Sequence, residues 1–354
     1  MADLYLADSS FRKIALIDDY ESWIWTERYS GYGDFTLIMK RDSSFAQNLR
    51  SVNYLRMSES ARVMMIETAD SGYQTAKGED AVKLTGRSFE AFLMLRNGAK
   101  YNDKGPDRVT GTRGGIANYI VNRYCINSTT AGPVNVIPNL SVAIAPATPT
   151  ITLEVPKSDI YSTVKAILDA ARLGWMIRID ADTGNPVFAV YQGIDRTDPS
   201  DPFTYMEYSV DNENLIGVTT LESIANYKNH ARVNGYKTGV DVYVGGASSS
   251  TSGLDRRSLV VDASDIGTGS TTVAEDQDDL TQRGYEILAD VNNKYIKAVD
   301  GDIPQNAWEK VYYGLGDVVV VKDTYGNKGT AIISEQFWSS DATGQKQVPT
   351  FEPL

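Results

Sequence analysis

Apolar and polar positions alternate in short runs through the N-terminal part of the chain. Residues 14–18 (IALID), 22–28 (SWIWTER), 34–40 (DFTLIMK) and 61–69 (ARVMMIETA) are brief and rich in β-branched and aromatic side chains. Turn residues such as Ser30-Gly31-Tyr32-Gly33 separate them. A period of two puts Trp23 and Trp25 on one strand face and Ile24 and Thr26 on the other, and it groups Phe35, Leu37 and Met39. No helical pattern alternates with these strands, so a small antiparallel barrel or sandwich is predicted.

The pattern changes beyond Gly86. Ser88 is a candidate N-cap for a short helix through Phe89, Phe92 and Leu93, and Ile116, Tyr119, Ile120 and Tyr124 recur at helical spacing. Pro133, Pro138, Pro146, Pro149 and Pro156 then hold the chain extended. The spacing predicts a helix over 159–173, capped by Ser158, burying Val164, Ile167, Leu168 and Ala171, and stopped by Gly174. Two strands follow about a turn at Asp182-Thr183-Gly184-Asn185, closed by a strand at 203–210. Later strands are predicted near 214–220, 230–236, 240–244, 258–262, 317–322 and 330–338. A long helix over 278–299 carries Tyr285, Leu288, Tyr295, Ile296 and Val299 on related faces.

These changes divide the chain into five parts. They are a β-barrel-like unit over 1–90, a loop-rich insert with short helices over 91–156 and a helix-plus-hairpin α+β unit over 157–212. A β-rich unit with the long helix over 213–338 and a polar tail over 339–354 complete it. The expected fold class is mainly β with α+β accessory parts.

Composition narrows function through scarcity. A single histidine, His230, excludes any site that needs two imidazoles from one chain, and a single cysteine, Cys125, excludes an internal disulfide or a cysteine cluster. His230 alternates with Arg232 and Asn234, the pattern of a solvent-facing strand side, and Cys125 reads as a buried, inert thiol. Gly111-Thr112-Arg113-Gly114-Gly115 lacks the Lys-Ser/Thr of a phosphate loop. Asp180–Asn185 lacks the glycine and glutamate positions of a calcium loop. No cofactor and no metal are indicated. A net charge of −12 disfavours a generic nucleic-acid surface.

Carboxylates are too abundant for a catalytic pair to stand out. The run Glu275-Asp276-Gln277-Asp278-Asp279 is expected just ahead of a helix, where the macrodipole favours negative charge. The start of the chain lacks a signal-peptide layout, and no apolar stretch is long enough to span a bilayer. What stands out is the aromatic load of 21 Tyr against 9 Phe, with 5 Trp. Such rings suit interfaces or sugar platforms. Trp23, Trp25, Tyr29, Tyr119, Tyr124, Trp308 and Trp338 are the candidate structural or interface residues.

The order of segments then carries a resemblance. Trp23-Ile24-Trp25-Thr26-Glu27-Arg28-Tyr29, the Gly33-Asp34 turn and Phe35-Thr36-Leu37 resemble the N-terminus of tail-hub, or minor tail, proteins of long non-contractile-tailed actinobacterial phages. Leu84-Thr85-Gly86-Arg87-Ser88 with Arg96, the 158–173 helix with its hairpin, and the region from Asn214-Leu215 through 229–235 are similar as well. So are Gly316-Asp317-Val318-Val319-Val320 and the strand ending in Trp338, which resemble the hub proteins of contractile tails. None of these marks is a catalytic signature.

The resemblance implies a multidomain tail-hub fold with barrel-like domains. It implies a non-enzymatic homotrimeric ring at the virion tail tip, assembled in the host cytoplasm, joining tube to tip and lining the DNA exit channel. The implied partners are a distal tail or tail-tube protein, a tape measure protein, and a tail fibre or receptor-binding protein. DNA would pass without sequence-specific binding. The chain stops at Leu354, soon after the hub-like strands, so a lytic or receptor-binding role is expected to belong to another protein. The alternatives are a host-surface glycan-binding tail component and a carboxylate-based glycoside or peptidoglycan hydrolase.

Overall fold

The computed structural model describes residues 2–43, 54–75, 78, 80–98, 107–127, 129, 135–245, 252–269, 271–289, 296–303, 313–326 and 328–354. The chain opens with seven strands: β1 (Leu4–Ala7), β2 (Lys13–Ile17), β3 (Tyr20–Arg28), β4 (Asp34–Lys40), β5 (Tyr54–Met57), β6 (Val63–Asp70) and β7 (Ala81–Ser88). After a 3₁₀ turn over Phe89–Leu95 come β8 (Arg108–Thr112), helix α1 (Arg113–Val121), β9 (Ser141–Val142) and β10 (Thr150–Glu154). Helix α2 (Ile160–Asp169) leads into the hairpin β11 (Gly174–Ile179) and β12 (Pro186–Tyr191), then β13 (Glu207–Tyr208) and β14 (Ile216–Ser223). The remainder is β15 (His230–Gly235), β16 (Gly239–Tyr243), β17 (Ser258–Ala263), helix α3 (Val273–Leu288), β18 (Ile296–Asp302), β19 (Val318–Lys322), β20 (Lys328–Asp341) and β21 (Gly344–Pro353).

Both ends of the chain build one eleven-stranded sheet, in the order β13-β19-β20-β3-β4-β7-β6-β5-β1-β2, with β21 branching from β20. The alternation read from the sequence governs its core. Trp23 and Trp25 are 2% and 1% exposed while Ile24 between them is 47% exposed. Trp25 stands opposite Phe35 on one side and Trp338 on the other. Trp23 faces Leu37, which faces Leu84.

The expectation of barrel-like domains is corrected here. No sheet among the described residues closes on itself; the long sheet runs from β13 to β2 and stops. The sheet curls, and the start of β1 meets the start of β21, but a side chain rather than a strand ladder joins them. Ala2 N donates to Gln345 Oε1 at 2.8 Å, and Gln345 Nε2 donates to the Ala2 carbonyl at 2.9 Å. The fold is a mixture of β-rich and α+β parts with extended open sheets.

Several local expectations change with it. The segment after Ser339 is not a loose polar tail but the end of β20 and all of β21, paired in register from Ala331↔Pro353 to Asp341↔Gly344. Asp159, not Ser158, caps α2, accepting from Ser162 N at 2.7 Å. Ser88 caps nothing: its Oγ accepts from Gly33 N at 2.7 Å and ties the β3–β4 turn to β7. The predicted 278–299 helix divides. Helix α3 starts earlier, at the Thr272–Glu275 capping box, so the acidic run lies inside it, and Ile296 and Val299 belong to β18, paired with β14. Tyr295 lies outside the described residues.

A second core holds Phe89, Leu93, Ile116, Ile120, Tyr124, Leu153, Val164, Leu168, Trp175 and Phe188 in one cluster. The three-stranded sheet β16-β15-β17 packs on α3 around Val233, Val242, Val261 and Leu280 as a separate core.

Candidate functional site

Tyr29, at the end of β3, is where three parts of the chain meet. Its ring is 6% exposed and lies between two glycines: a Cβ on Gly174 or on Gly316 would stand 2.1 Å from it. Tyr29 N donates to Ser334 O at 2.7 Å, and the Tyr29 carbonyl accepts from Trp175 N at 3.0 Å. Its hydroxyl donates to the carbonyls of Arg172 at 3.0 Å and Tyr191 at 3.4 Å. Burial raises the phenol's pKa, so it stays a donor at neutral pH. One side chain therefore joins the N-terminal strands, the α2–hairpin unit and the C-terminal strands.

Beside it lies a buried ionic network. Arg62, 1% exposed, contacts Glu90 at 3.1 Å and Glu27 at 3.6 Å, and donates to the carbonyls of Arg28 at 2.6 Å and Gly31 at 3.2 Å. Burial works against its charge, but Glu90 and Glu27 outweigh burial and raise its pKa. Glu90 also accepts from Ile177 N at 2.9 Å, and Glu27 accepts from Trp25 Nε1 at 3.0 Å and from the Ser60 hydroxyl. The end of β3, the segment leading into β6 and strand β11 are thus tied together by charge-assisted bonds.

The Gly316-Asp317 turn completes the junction. Gly316 sits at φ +91°, in the left-handed region. Asp317 accepts from Ile194 N at 2.8 Å, Gly314 N at 2.9 Å and Arg196 Nε at 2.6 Å. The loop after β12 is therefore fastened to the start of β19.

A cleft of about 360 Å³ opens on this junction between Arg28, Tyr29, Lys165, Asp169, Arg172 and Glu335. Most of its charges are already committed. Arg28 pairs with Asp34 and with Glu335, each at 2.6 Å, and Asp169 pairs with Lys165 at 2.6 Å and accepts from the Ser30 hydroxyl. Other acids are paired too: Glu67 with Arg87, Glu207 with Lys328, Asp211 with Lys322, Asp279 with Arg108. The arrangement holds elements together.

The sequence candidates fall as follows. Trp23, Trp25 and Trp338 share the core of the long sheet. Tyr29 is at the junction. Tyr119 and Tyr124 converge on the buried Asp107, donating at 3.1 and 2.6 Å. Trp308 lies outside the described residues. His230 departs from its expected solvent-facing place: it is 3% exposed, with Nδ1 2.9 Å from Ser258 Oγ and Nε2 2.9 Å from Asp241 Oδ1, so it ties β15 to β16 and β17. The guanidinium of Arg256 lies 2.9 Å from the same Nε2, which leaves the ring enclosed by structural partners. Cys125 is buried, and burial pushes its thiol up to about 12. Arg62, Glu90 and Arg196 were not singled out in the sequence; the one available signal was Glu90 within the apolar string FEAFLML.

Among the described residues, no group of His, Cys, Asp and Glu could hold a metal ion, and no helix is long and apolar enough to cross a membrane. The profile of the family described as Siphovirus ReqiPepy6 Gp37-like protein matches residues 3–351. No curated protein matches the chain. Solved structures resemble it over nearly its whole length. A tail protein from Neisseria meningitidis MC58 is 12% identical with a TM-score of 0.55, covering 99% of this chain and 96% of that one. The 43 kDa tail protein of prophage MuSo2 from Shewanella oneidensis is 11% identical with a TM-score of 0.57, covering 99% and 98%. The prophage tail protein gp18 from Listeria monocytogenes EGD-e is 10% identical with a TM-score of 0.54, covering 99% and 94%. At such identities the likeness is one of fold.

Proposed function

Because the chain belongs to the Siphovirus ReqiPepy6 Gp37-like family, we propose that it is a non-enzymatic structural protein of a siphovirus tail, the hub at the tail tip. In this reading three copies form a ring that joins the tail tube to the tip complex and lines the DNA exit channel of an actinobacterial phage. The observation that carries it is the whole-chain fold likeness to three tail proteins, two of them from prophages, each matched over 94–98% of its own length. Support comes from a junction whose polar groups bind elements to one another. The net charge of −12 suits a surface along which a polyanion must slide. A distal tail or tube protein, a tape measure protein and a fibre or receptor-binding protein are the proposed neighbours.

Imaging of the purified protein, with mass measurement in solution, tests the reading. A threefold ring with a central channel is expected, alone or beside tail partners. A particle with no threefold ring under either condition overturns the hub assignment. Purified cell walls should remain uncleaved; reproducible cleavage that is lost on changing one Asp/Glu pair would restore the hydrolase alternative.

A further inference from the structure

The loop from β12 into β13 holds its shape through short-range bonds. The hydroxyls of Thr197, Ser200 and Thr204 donate to Asp195, Asp198 and Asp201, each at 2.7 Å. Phe203 N donates to Asp201 Oδ1 at 3.1 Å, and Tyr205 N to the Asp201 carbonyl at 2.9 Å. Both ends are tied to β19: Val318 N donates to Ile194 O at 2.9 Å, and Val320 N to Met206 O at 3.0 Å. On this braced loop Phe203 is 95% exposed. An aromatic side chain held in water on a loop with little freedom left to lose is a preorganised anchor for a partner. The three aspartates beside it are held by hydroxyl and backbone N–H donors rather than by a cation, and Arg196 is committed to Asp317 at 2.6 Å. The loop leads directly into β13, one end of the long sheet.

The other end of that sheet carries a matching hollow. A cleft of about 210 Å³ opens beside the β1–β2 turn, walled by Phe11, Tyr54, Phe89 and Phe92 with Pro138 and Pro186. Phe11 meets Tyr54 and Phe89 edge-on at centroid distances of 5.0 and 5.1 Å, and Phe89 stacks on Phe92 at 5.4 Å. Phe11 stands at φ +62°, a conformation that a bulky residue rarely adopts. Asp8 holds it there: its carbonyl accepts from Phe11 N at 2.9 Å and its carboxylate from Arg12 N at 3.0 Å. An apolar cavity of about 150 Å³ already takes a benzene-sized group, so the cleft has room for one phenyl side chain. Two guanidinium groups border it. Arg56 Nη1 donates to the Phe11 carbonyl at 3.3 Å; Arg96 lies 5.0 Å over the Phe92 ring and donates to the Asn135 carbonyl at 2.8 Å. Both bond carbonyls rather than carboxylates, which leaves their charge for a partner, whereas Arg12 in the turn is paired with Asp8.

We propose that Phe203 of one copy seats in the Phe11–Tyr54–Phe89–Phe92 cleft of the next, with its flanking aspartates facing Arg56 and Arg96. Phe203 is exposed, so it does not fill the cleft of its own chain. The contact joins the β13 end of one sheet to the β2 end of another and is therefore heterologous. Such a contact closes into a ring or runs on as a chain, according to the rotation between copies. The inference rests on the three-copy reading for that closure alone. The buried phenyl supplies the affinity, and the charges around it chiefly set the orientation.

Sedimentation of the native chain and of Phe203→Ala at 0.15 M salt tests the contact. The dissociation constant should rise at least about thirtyfold in the variant. Its denaturation midpoint, measured where both chains are monomeric, should stay in place, because the side chain is already in water. Ser10→Trp sets a large side chain at the exposed lip of the cleft and should weaken association as much with Phe203 intact. Equal association of the native and F203A chains overturns the contact and leaves the ring reading standing. Association that F203A lowers and S10W leaves alone overturns the cleft as the seat. A native chain that stays monomeric at every concentration overturns the contact as well, and the ring is then to be sought beside tail partners. Open chains of copies that need Phe203 uphold the contact and overturn the ring.

Discussion

The ring of Tyr29 fits its slot because Gly174 and Gly316 carry no Cβ, and each substitution to Ala would force a carbon to within 2.1 Å of an enclosed aromatic. Gly316→Ala adds the strain of φ +91°. Both variants should destabilise by about 3 kcal/mol or more, read as a lower denaturation midpoint at unchanged slope. Asp317→Ala leaves the Arg196 guanidinium and two backbone N–H groups without their shared acceptor, and a loss of about 3 kcal/mol is expected in the same experiment. Cys125 should resist thiol reagents in the folded state and react only on unfolding, since burial holds it as the neutral thiol. In the sequence the Gly316-Asp317 pair is visible as a turn. Its purpose is not, because Asp317 serves Ile194 and Arg196, 123 and 121 residues away. His230 shows the same gap. Its alternation with Arg232 and Asn234 reads as an exposed face, and only the arrival of Ser258, Asp241 and Arg256 from other segments encloses it.

Elements were legible where their signals are local. The β11–β12 hairpin follows from its turn, with Asp180 Oδ1 accepting from Thr183 N at 3.0 Å, and β4 follows from strict alternation, as does the Trp23-Ile24-Trp25 centre of β3. They were illegible where a distant partner decides. Ile296 and Val299 continue a helical spacing, yet pairing with β14 draws them into a strand. The polar, proline-bearing end of the chain has little strand propensity of its own, and the long β20 template sets it. The start of α3 is fixed locally by Thr272 and Glu275, which bond each other's backbone N–H groups. Thr272→Ala should therefore cost about 1 kcal/mol, measured by chemical denaturation, and Thr272→Ser should restore nearly all of it. A cost near zero would mean that packing on β15 and β16 alone fixes the helix start.

At the scale of the molecule, the decisive feature is a long sheet that, among the described residues, curls without closing. Its edges are guarded unequally. Strand β21 carries Lys346 and Pro349, residues that blunt an edge, whereas β2 ends the sheet with Ile14 and Leu16 exposed at 58% and 45%. An open edge of this kind is satisfied in a closed ring of copies, which ends growth where a linear stack would not. Charge acts against the proposed ring. Each copy brings −12, and like charges repel across about 30 Å at 0.01 M salt but only about 10 Å at 0.1 M. Assembly through apolar edges should therefore strengthen with salt over this range, while assembly through ion pairs would weaken. Sedimentation of the purified chain should show more trimer at 0.15 M than at 0.01 M salt and a rise with protein concentration at both. Ile14→Asp should shift each curve toward monomer without moving the denaturation midpoint by more than about 0.5 kcal/mol, because the residue is already in water. Trimer that dissolves as salt is raised, or that forms equally well with aspartate in place of Ile14, would remove the β2 edge from the ring contact.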